Sequence, residues 1–332
     1  MSTEPHFTSI IVSWNSSEHL EECILALRQS EAQSTASVEI IVVDNASNDD
    51  SSTIAKTAGA DLVVQNPINA GFAVAASQGI ALARGAWIIM TNPDLVVDAS
   101  FLQAVMDAAS TAPGEICCFV PEILFSADVL RLNSRGIAID SAGLPAEIGK
   151  GQEVSDAIVP AKVFGGSGGG SVLRRAALEQ VGGFDPAYFA YYEDVDLAWR
   201  LQRAGYRTSF LSDARSRHTG SSTVGVASAL QTYLVARNRR LLFYRHGPHD
   251  YRARGWRMVS EIGHAAVSCA ITRSVTPLRG RAAALRVRLY LRYLRRADAT
   301  YCTGSPDILM PRVSLMSAFR RKLRSIALEK HK

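Results

Sequence analysis

Two stretches near the start of the chain, TSIIVSW (Thr8–Trp14) and VEIIVVD (Val38–Asp44), decide the fold. Each is a continuous apolar run rather than an alternating one, and strands of that composition are buried on both faces. Between them Leu20, Ile24 and Leu27 recur at helical spacing, with Ser17 as the expected N-cap and Glu18, Glu21 and Glu22 in the first turns. The alternation continues outward. Asp61–Gln65 reads as a short third strand, Phe72–Ala83 as a helix of small residues, and AWIIMT (Ala86–Thr91) as a fourth strand. Buried strands separated by helices predict an α/β sandwich with a mostly parallel, Rossmann-like sheet, whose ligands bind beyond the carboxyl ends of the strands. Polar clusters fall at three such ends: Trp14-Asn15, Asp44-Asn45 and Asn92-Pro93-Asp94.

Further along, glycines at 136, 143, 149 and 151 punctuate polar sequence, which predicts a hairpin or loop insertion over 121–161. A glycine-rich segment within KVFGGSGGGSVLR (Lys162–Arg174) precedes a strand. Glu193–Ala204 then reads as a helix with Gly205 as its C-cap, and Arg207–Leu211 as a strand running into Asp213–His218. Beyond Leu230 the pattern is helical and Arg-rich.

Composition sharpens this division. The chain has 332 residues, 47% hydrophobic and 20% charged, which excludes a collagen-like, low-complexity or wholly disordered protein. Its net charge of +5 hides an asymmetry: residues 1–236 hold 14 Lys+Arg against 26 Asp+Glu, whereas 237–332 hold 22 against 5. The expected organisation is an acidic body over 1–236, whose pattern changes at about 120, followed by a helical basic region over 237–332. Five cysteines without a CxxC pair suggest neither zinc nor disulfide stapling, and a reducing compartment fits them. Met1–Phe7 lacks a signal-peptide pattern, and the best apolar run, Ile262–Thr272, is too short to span a bilayer.

Several residues carry possible chemistry. Asp44, ending a buried strand, either accepts from a ribose hydroxyl or base N–H, or closes an Asx-turn before the next helix. Asp94 sits where a carboxylate can hold a divalent cation on a diphosphate; a capped Pro turn is the plainer reading. Glu193, Asp194 and Asp196 share the first turn of a helix, where the dipole favours acids. The preceding rings of Tyr188, Phe189, Tyr191 and Tyr192 would desolvate a carboxylate and raise its basicity, as a general base near neutral pH requires. The segment Gly165–Gly170 allows close backbone approach to a ligand but lacks the order of a P-loop.

Taken in order, IIVSWN (Ile10–Asn15), EIIVVDNASND (Glu39–Asp49), NAGFAVAASQG (Asn69–Gly79), AWIIMTNPD (Ala86–Asp94), GGFDPAYFAYYEDVDLAWRLQRAGYR (Gly182–Arg207) and His218 resemble the family 2 inverting glycosyltransferases of GT-A fold, most nearly their bacterial rhamnosyltransferase-like branch. The resemblance implies a donor pocket formed by Ser13, Asn15, Asp44, Asn69, Gly71, Asn92 and Gly168. It implies Mg2+ or Mn2+ held by Asp94 and His218, with Asp194 as the catalytic base and Glu193 orienting the acceptor. It further implies a nucleoside-diphosphate sugar donor, with dTDP-rhamnose favoured over a UDP-hexose, and a lipid-linked or polysaccharide acceptor. A non-catalytic sugar-nucleotide binder is the alternative from another class. Two departures stand out: Asn92 replaces the first acid of the metal motif, and Ala76-Ser77 stands where relatives often carry Asn.

In the tail, RGRAAALRVRLYLRYLRR (Arg279–Arg296) places Ala283, Val287, Tyr290, Leu291 and Leu294 on one helical stripe and Arg281, Arg288, Arg292 and Arg295 on another. Phe319, Leu323 and Ile326 repeat the pattern. An Arg-rich face beside an apolar one suits an anionic membrane surface, which predicts a cytoplasmic protein held peripherally on the membrane's inner face. A packed helical appendage or a homo-oligomer contact is the alternative. No nucleic-acid motif accompanies the charge.

Overall fold

The computed structural model describes residues 4–140, 144–219, 228–247 and, beyond them, 259, 262–263, 265–270 and 272–285. The elements in chain order are β1 (Phe7–Ser13), α1 (Leu20–Ala32), β2 (Val38–Asp44), α2 (Ser51–Thr57), β3 (Leu62–Gln65), α3 (Phe72–Leu82), β4 (Trp87–Thr91), β5 (Leu95–Val97), α4 (Phe101–Thr111), β6 (Ile116–Phe125) and β7 (Asp128–Ser134). They continue with β8 (Ile137–Ile139), β9 (Pro145–Glu147), β10 (Gly170–Arg174), α5 (Arg175–Val181), a 3-10 turn at Pro186–Tyr188, α6 (Glu193–Arg203), β11 (Arg207–His218) and α7 (Ala229–His246).

Among the described residues the main sheet has nine strands, in the order β3-β2-β1-β4-β10-β6-β11-β5, with β7 paired to β6. Strands β1, β2, β3 and β4 are parallel, as their unbroken apolar runs require, and every residue of β2 is buried. One face of the sheet is covered by α1, α2 and α4, the other by α3, α5 and α6.

Register sets the functional geometry. Ser13 pairs with Asp44 and Ile11 with Thr91, so the carboxyl ends of β1, β2 and β4 open on one edge. Antiparallel β10 pairs Gly170 with Thr91, which carries the glycine segment to that same edge. Antiparallel β11 pairs His218 with Leu95, which delivers His218 beside Asp94 from more than a hundred residues away. The insertion over 121–161 is built as a β6–β7 hairpin and a β8–β9 ribbon, as its glycines foretold.

Three expectations are corrected. Ser17 does not cap α1: the Ser16 carbonyl accepts from His19 and Leu20, while the Ser17 N–H donates to Asp49 Oδ2 at 3.1 Å. The boundary drawn at 236/237 falls inside α7, because that helix buries Asn238, Arg239, Arg245 and His246 against the body. Arg281 is buried rather than solvated, and Pro277, Gly280, Arg281 and Ala284 form the covered stripe of the helical segment 276–285. Gly280 permits that contact, since a Cβ there would lie 2.3 Å from the Tyr233 carbonyl oxygen. The remaining positions of both basic stripes, from Val287 through Arg295, and those from Phe319 to Ile326, lie outside the described residues. Among the described residues no helix is long and apolar enough to cross a membrane.

Candidate active site

A cavity of about 530 Å³ opens at the carboxyl edge of the sheet. Eight of the expected residues line it: Asn69, Gly71, Asn92, Asp94, Gly168, Glu193, Asp194 and His218. Ser13, Asn15 and Asp44 do not. Ser13 is fully buried in β1, and Asp44 Oδ1 accepts from both the N–H and the hydroxyl of Ser47, closing the Asx-turn. Asn15 Oδ1 accepts from the Asn48 N–H at 2.8 Å, so its side chain braces the same turn.

The residue that reaches the cavity from the end of β2 is Asn45. Its amide donates to Asn69 Oδ1 (2.9 Å) and accepts from Asn66 and from the Ala70 N–H (both 3.1 Å). Asn66 and Gln78 in turn exchange hydrogen bonds of 2.8 and 3.1 Å. This amide network fixes the turn Asn69–Gly71 at the start of α3. Isolated amides carry little meaning in a sequence, and only the turn between β3 and α3 brings these four together.

On the wall formed by β4, β5 and β11, His218 Nε2 lies 3.1 Å from Asp94 Oδ1 and 3.4 Å from Asn92 Nδ2. Burial raises the Asp94 carboxyl, but the adjacent imidazole more than offsets this and holds it below the ordinary carboxylate range. Two hard or borderline donors so close can share one small divalent ion, with phosphate and water oxygens completing its shell. Among the described residues no third His, Cys, Asp or Glu joins them, so the protein's donor set fits a substrate-completed site rather than a closed one.

Glu193 and Asp194 line the same cavity from the start of α6. Asp194 Oδ2 accepts from the Gly168 N–H at 3.0 Å and Oδ1 from the Val195 N–H at 2.7 Å, so the carboxylate is aimed by two backbone donors. Burial lifts its pKa, and those two donors only partly reverse the shift. Glu193 Oε2 has no hydrogen-bond partner, and burial together with the Asp194 charge pushes this carboxyl well above the ordinary range. The folded state therefore holds the Glu193 proton more tightly than the unfolded chain, and stability declines as pH rises from the ordinary carboxylate range toward the raised value. Glu193→Gln should accordingly melt about 2–4 °C above wild type at pH 8, a shift of roughly 1 kcal/mol in a chain of this size, with the two curves converging near pH 5. Thermal unfolding across that interval checks it.

Immediately before these acids the backbone is strained. Phe189, Tyr191 and Tyr192 have φ of 65°, 69° and 71°, in the left-handed region that costs roughly 1–2 kcal/mol for each residue with a side chain. Phe189 makes a γ-turn (ψ −69°), closed by the Ala190 N–H on the Tyr188 carbonyl at 2.8 Å. The loop touches the donor side directly: the Ala73 N–H donates to the Phe189 carbonyl at 3.0 Å. A Cβ on Gly71 would meet the Phe189 ring at 2.5 Å, which with φ +87° explains the glycine there.

Behind the loop, Asp196 is fully buried and binds Arg200 (2.9 Å), Arg245 (3.1 Å), His246 Nε2 (2.8 Å) and the Tyr188 hydroxyl (3.1 Å). Burial alone would raise this carboxyl, but the two guanidinium groups hold it far below the usual range. Burial pushes the His246 imidazole down to about 4, so it is neutral at physiological pH and donates through Nε2. Sequence reading gave Asp196 only a capping role. Asn45, Asp196, Asn238 and Arg245, to which sequence reading assigned no site role, are polar side chains that each have a partner 21 to 60 positions away.

Comparison with known proteins follows the same lines. A family model described as Glycosyl transferase family 2 matches residues 8–182, and one described as Glycosyl transferase family group 2 matches residues 152–242. The N-acetylglucosaminyl-diphospho-decaprenol L-rhamnosyltransferase of Mycobacterium tuberculosis is 26% identical over 272 residues, which is 74% of this chain and 85% of that protein. The crystal structure of GalNAc-T7 with UDP, GalNAc and Mn2+ superposes with a TM-score of 0.59 at 14% identity, over 92% of this chain and only 56% of the other. The mannosyltransferase PcManGT of Pyrobaculum calidifontis, solved with GDP-Man and Mn2+, superposes at 0.52 with 17% identity, over 90% and 86%. The two structural likenesses speak for the fold. With more than half of its length matched by the family model, the chain belongs to glycosyl transferase family 2 and is a glycosyltransferase.

Proposed function

We propose that the protein transfers rhamnose, from dTDP-rhamnose, to a hydroxyl of a lipid-linked acceptor with inversion at the anomeric carbon. One observation carries the reading: a single cavity is lined by both the Asp94–His218 pair and the Glu193–Asp194 pair. The rhamnosyltransferase relative, whose name specifies an N-acetylglucosaminyl-diphospho-decaprenol acceptor, supports the choice of sugar and acceptor class.

The turn Asn69–Gly71 and the glycines 168 and 169 receive the donor closely, because any Cβ at Gly169 would overlap the Asn92 side chain. Asp94 and His218 hold Mg2+ or Mn2+, which when bound supplies positive charge to the departing diphosphate. Asp194, oriented by the Gly168 and Val195 N–H groups, removes the proton from the acceptor hydroxyl as its oxygen attacks from the face opposite the leaving group. The C1–O bond to the diphosphate breaks as the new glycosidic bond forms, and no covalent enzyme intermediate is required. Glu193, whose carboxyl is pushed well above the ordinary range by burial and the Asp194 charge, orients the acceptor through a hydrogen bond. Because Asp194 is raised by burial, the rate should climb with pH through a value above the ordinary carboxylate range. The protein works at the cytoplasmic face of the membrane, held there by the basic region beyond α7.

A panel of sugar nucleotides with purified full-length protein, in the presence and absence of Mn2+ and Mg2+, tests the reading. Metal-dependent turnover of dTDP-rhamnose, lost by at least 100-fold in folded Asp94→Ala, is expected. Turnover of a UDP-hexose in its place would reassign the sugar. Metal-independent turnover, or activity retained by the variant, would remove the proposed metal site.

A further inference from the structure

The strained loop before the acids is held from α7 by one side chain. Asn238 is fully buried, and its Nδ2 donates to the carbonyls of Tyr188 (2.8 Å), Ala190 (2.7 Å) and Tyr191 (2.7 Å). Three acceptors on one amide nitrogen fix which end of the amide faces the loop, since the Oδ1 end would meet three carbonyls. Oδ1 itself accepts from Arg237 Nη1 at 2.9 Å, and Arg237 Nη2 donates to the Ala187 carbonyl at 2.6 Å. The one carbonyl in this run that α7 does not take, Phe189, goes to the Ala73 N–H at the start of α3. The whole turn is therefore suspended between α7 and the donor-binding end of α3, and Glu193 and Asp194 begin the helix it leads into.

We propose that Asn238 is a positioning residue for the transfer: it holds Phe189–Tyr192 in their left-handed path and so sets the direction in which Asp194 faces the sugar. This rests on the functional reading above, because it assumes that Asp194 takes the acceptor proton. The physical ground is that left-handed conformations of bulky residues persist only where surrounding bonds over-determine them. Without the amide, the Ala190 and Tyr191 carbonyls lose this donor, the Tyr188 carbonyl keeps only its Ala190 N–H and a long Arg237 contact, and the loop relaxes toward ordinary backbone. A relaxed loop shifts α6 at its first turn and loosens the Gly168 N–H contact with Asp194. Misplacement of about 1 Å costs on the order of 100-fold in rate.

The test uses full-length Asn238→Ala and Asn238→Ser, the serine keeping one short donor. Steady-state kinetics should show kcat lowered about 100-fold in the alanine variant and less in the serine variant, with donor KM within threefold of wild type. The acid limb of the kcat–pH profile should move down toward the ordinary carboxylate range, since a released loop lets water reach Asp194. Hydrogen exchange supplies a readout that needs no turnover: segments containing Ala73, Gly168 and residues 186–194 should lose protection. Unchanged kcat and unchanged exchange would overturn the proposal. So would a fall in kcat matched by an equal loss of donor binding with the pH limb in place, which marks general damage. If the alanine variant does not fold, the serine variant decides on the same measurements. Wild type that turns over no sugar nucleotide would instead defeat the functional reading, leaving the exchange data to judge whether Asn238 holds the loop.

Discussion

Asp194→Asn is expected to reduce kcat for transfer by about 1,000-fold while leaving nucleotide binding within threefold of wild type, the usual range for loss of a general base being 100- to 10,000-fold. The substitution keeps the size of the side chain, and one amide oxygen can still accept from either Gly168 or Val195, whose N–H groups now both face Asp194. The other backbone donor then meets an NH2 group, a mismatch of about 1–3 kcal/mol that the fold can absorb. What disappears is an ionisable oxygen pair aimed into the cavity by two backbone donors. In the proposed mechanism the donor is held by other residues, Asp94 and His218 among them, so titration of a nucleoside diphosphate by calorimetry separates the two roles. Retained transfer with intact binding would move the base elsewhere, and Glu193, with its unpartnered Oε2, would be the next residue to test.

Asp196→Ala should be the most damaging substitution for stability, at about 3–5 kcal/mol, because it removes the shared anion of Arg200, Arg245, His246 and Tyr188 from a site with no exposure. Arg245 keeps Asp185 at 2.6 Å, and Arg200 keeps the Val181 and Gly183 carbonyls, so the loss comes from uncompensated charge rather than from every contact at once. The pH dependence has a definite sign. The Asp196 carboxyl is depressed in the folded state, so its contribution is present above the unfolded value of about 3.9 and is lost only as pH falls through the lower folded value. Denaturant unfolding at pH 7 gives the magnitude. The same measurement carried below about pH 4 should show wild type beginning to lose this contribution while the variant, lacking the group, does not.

Much of the fold was legible because apolar runs, not individual residues, announced it. The strands β1, β2 and β4 are buried on both faces, and burial on both faces leaves an unbroken pattern that needs no tertiary information. That Asp94 and the Glu193–Asp194 pair would reach one cavity was legible for a related reason: they sit at the ends of elements whose type was clear. What escaped is what depends on distant partners. Strand β5 is three residues long and exists because β11 returns to it, so no periodicity in Leu95–Val97 reveals it. Asp44 read equally as ligand or turn, and only the position of Ser47 chose the turn. Helix α7 defeated the amphipathic rule because its inner side mixes polar residues with Leu234, Ala236, Leu241 and Leu242. Asn238, Arg239, Arg245 and His246 are buried there, and a sequence reader assigns such residues to solvent. The error at 236/237 follows directly, since a switch to basic composition looked like the end of a domain.

The polar part of that inner side changes what the charge of the C-terminal region means. Arg239, Arg245 and Arg281 count toward its positive excess but are enclosed by protein. Arg245 is already neutralised by Asp185 and Asp196 of the acidic body. Added salt, which screens exposed charges within about 8–10 Å, leaves such pairs nearly untouched. Among the described residues the region's cations thus include two kinds, those that fasten the chain to itself at any ionic strength and exposed ones such as Arg273 and Arg279, whose attraction to any charged surface weakens as salt rises.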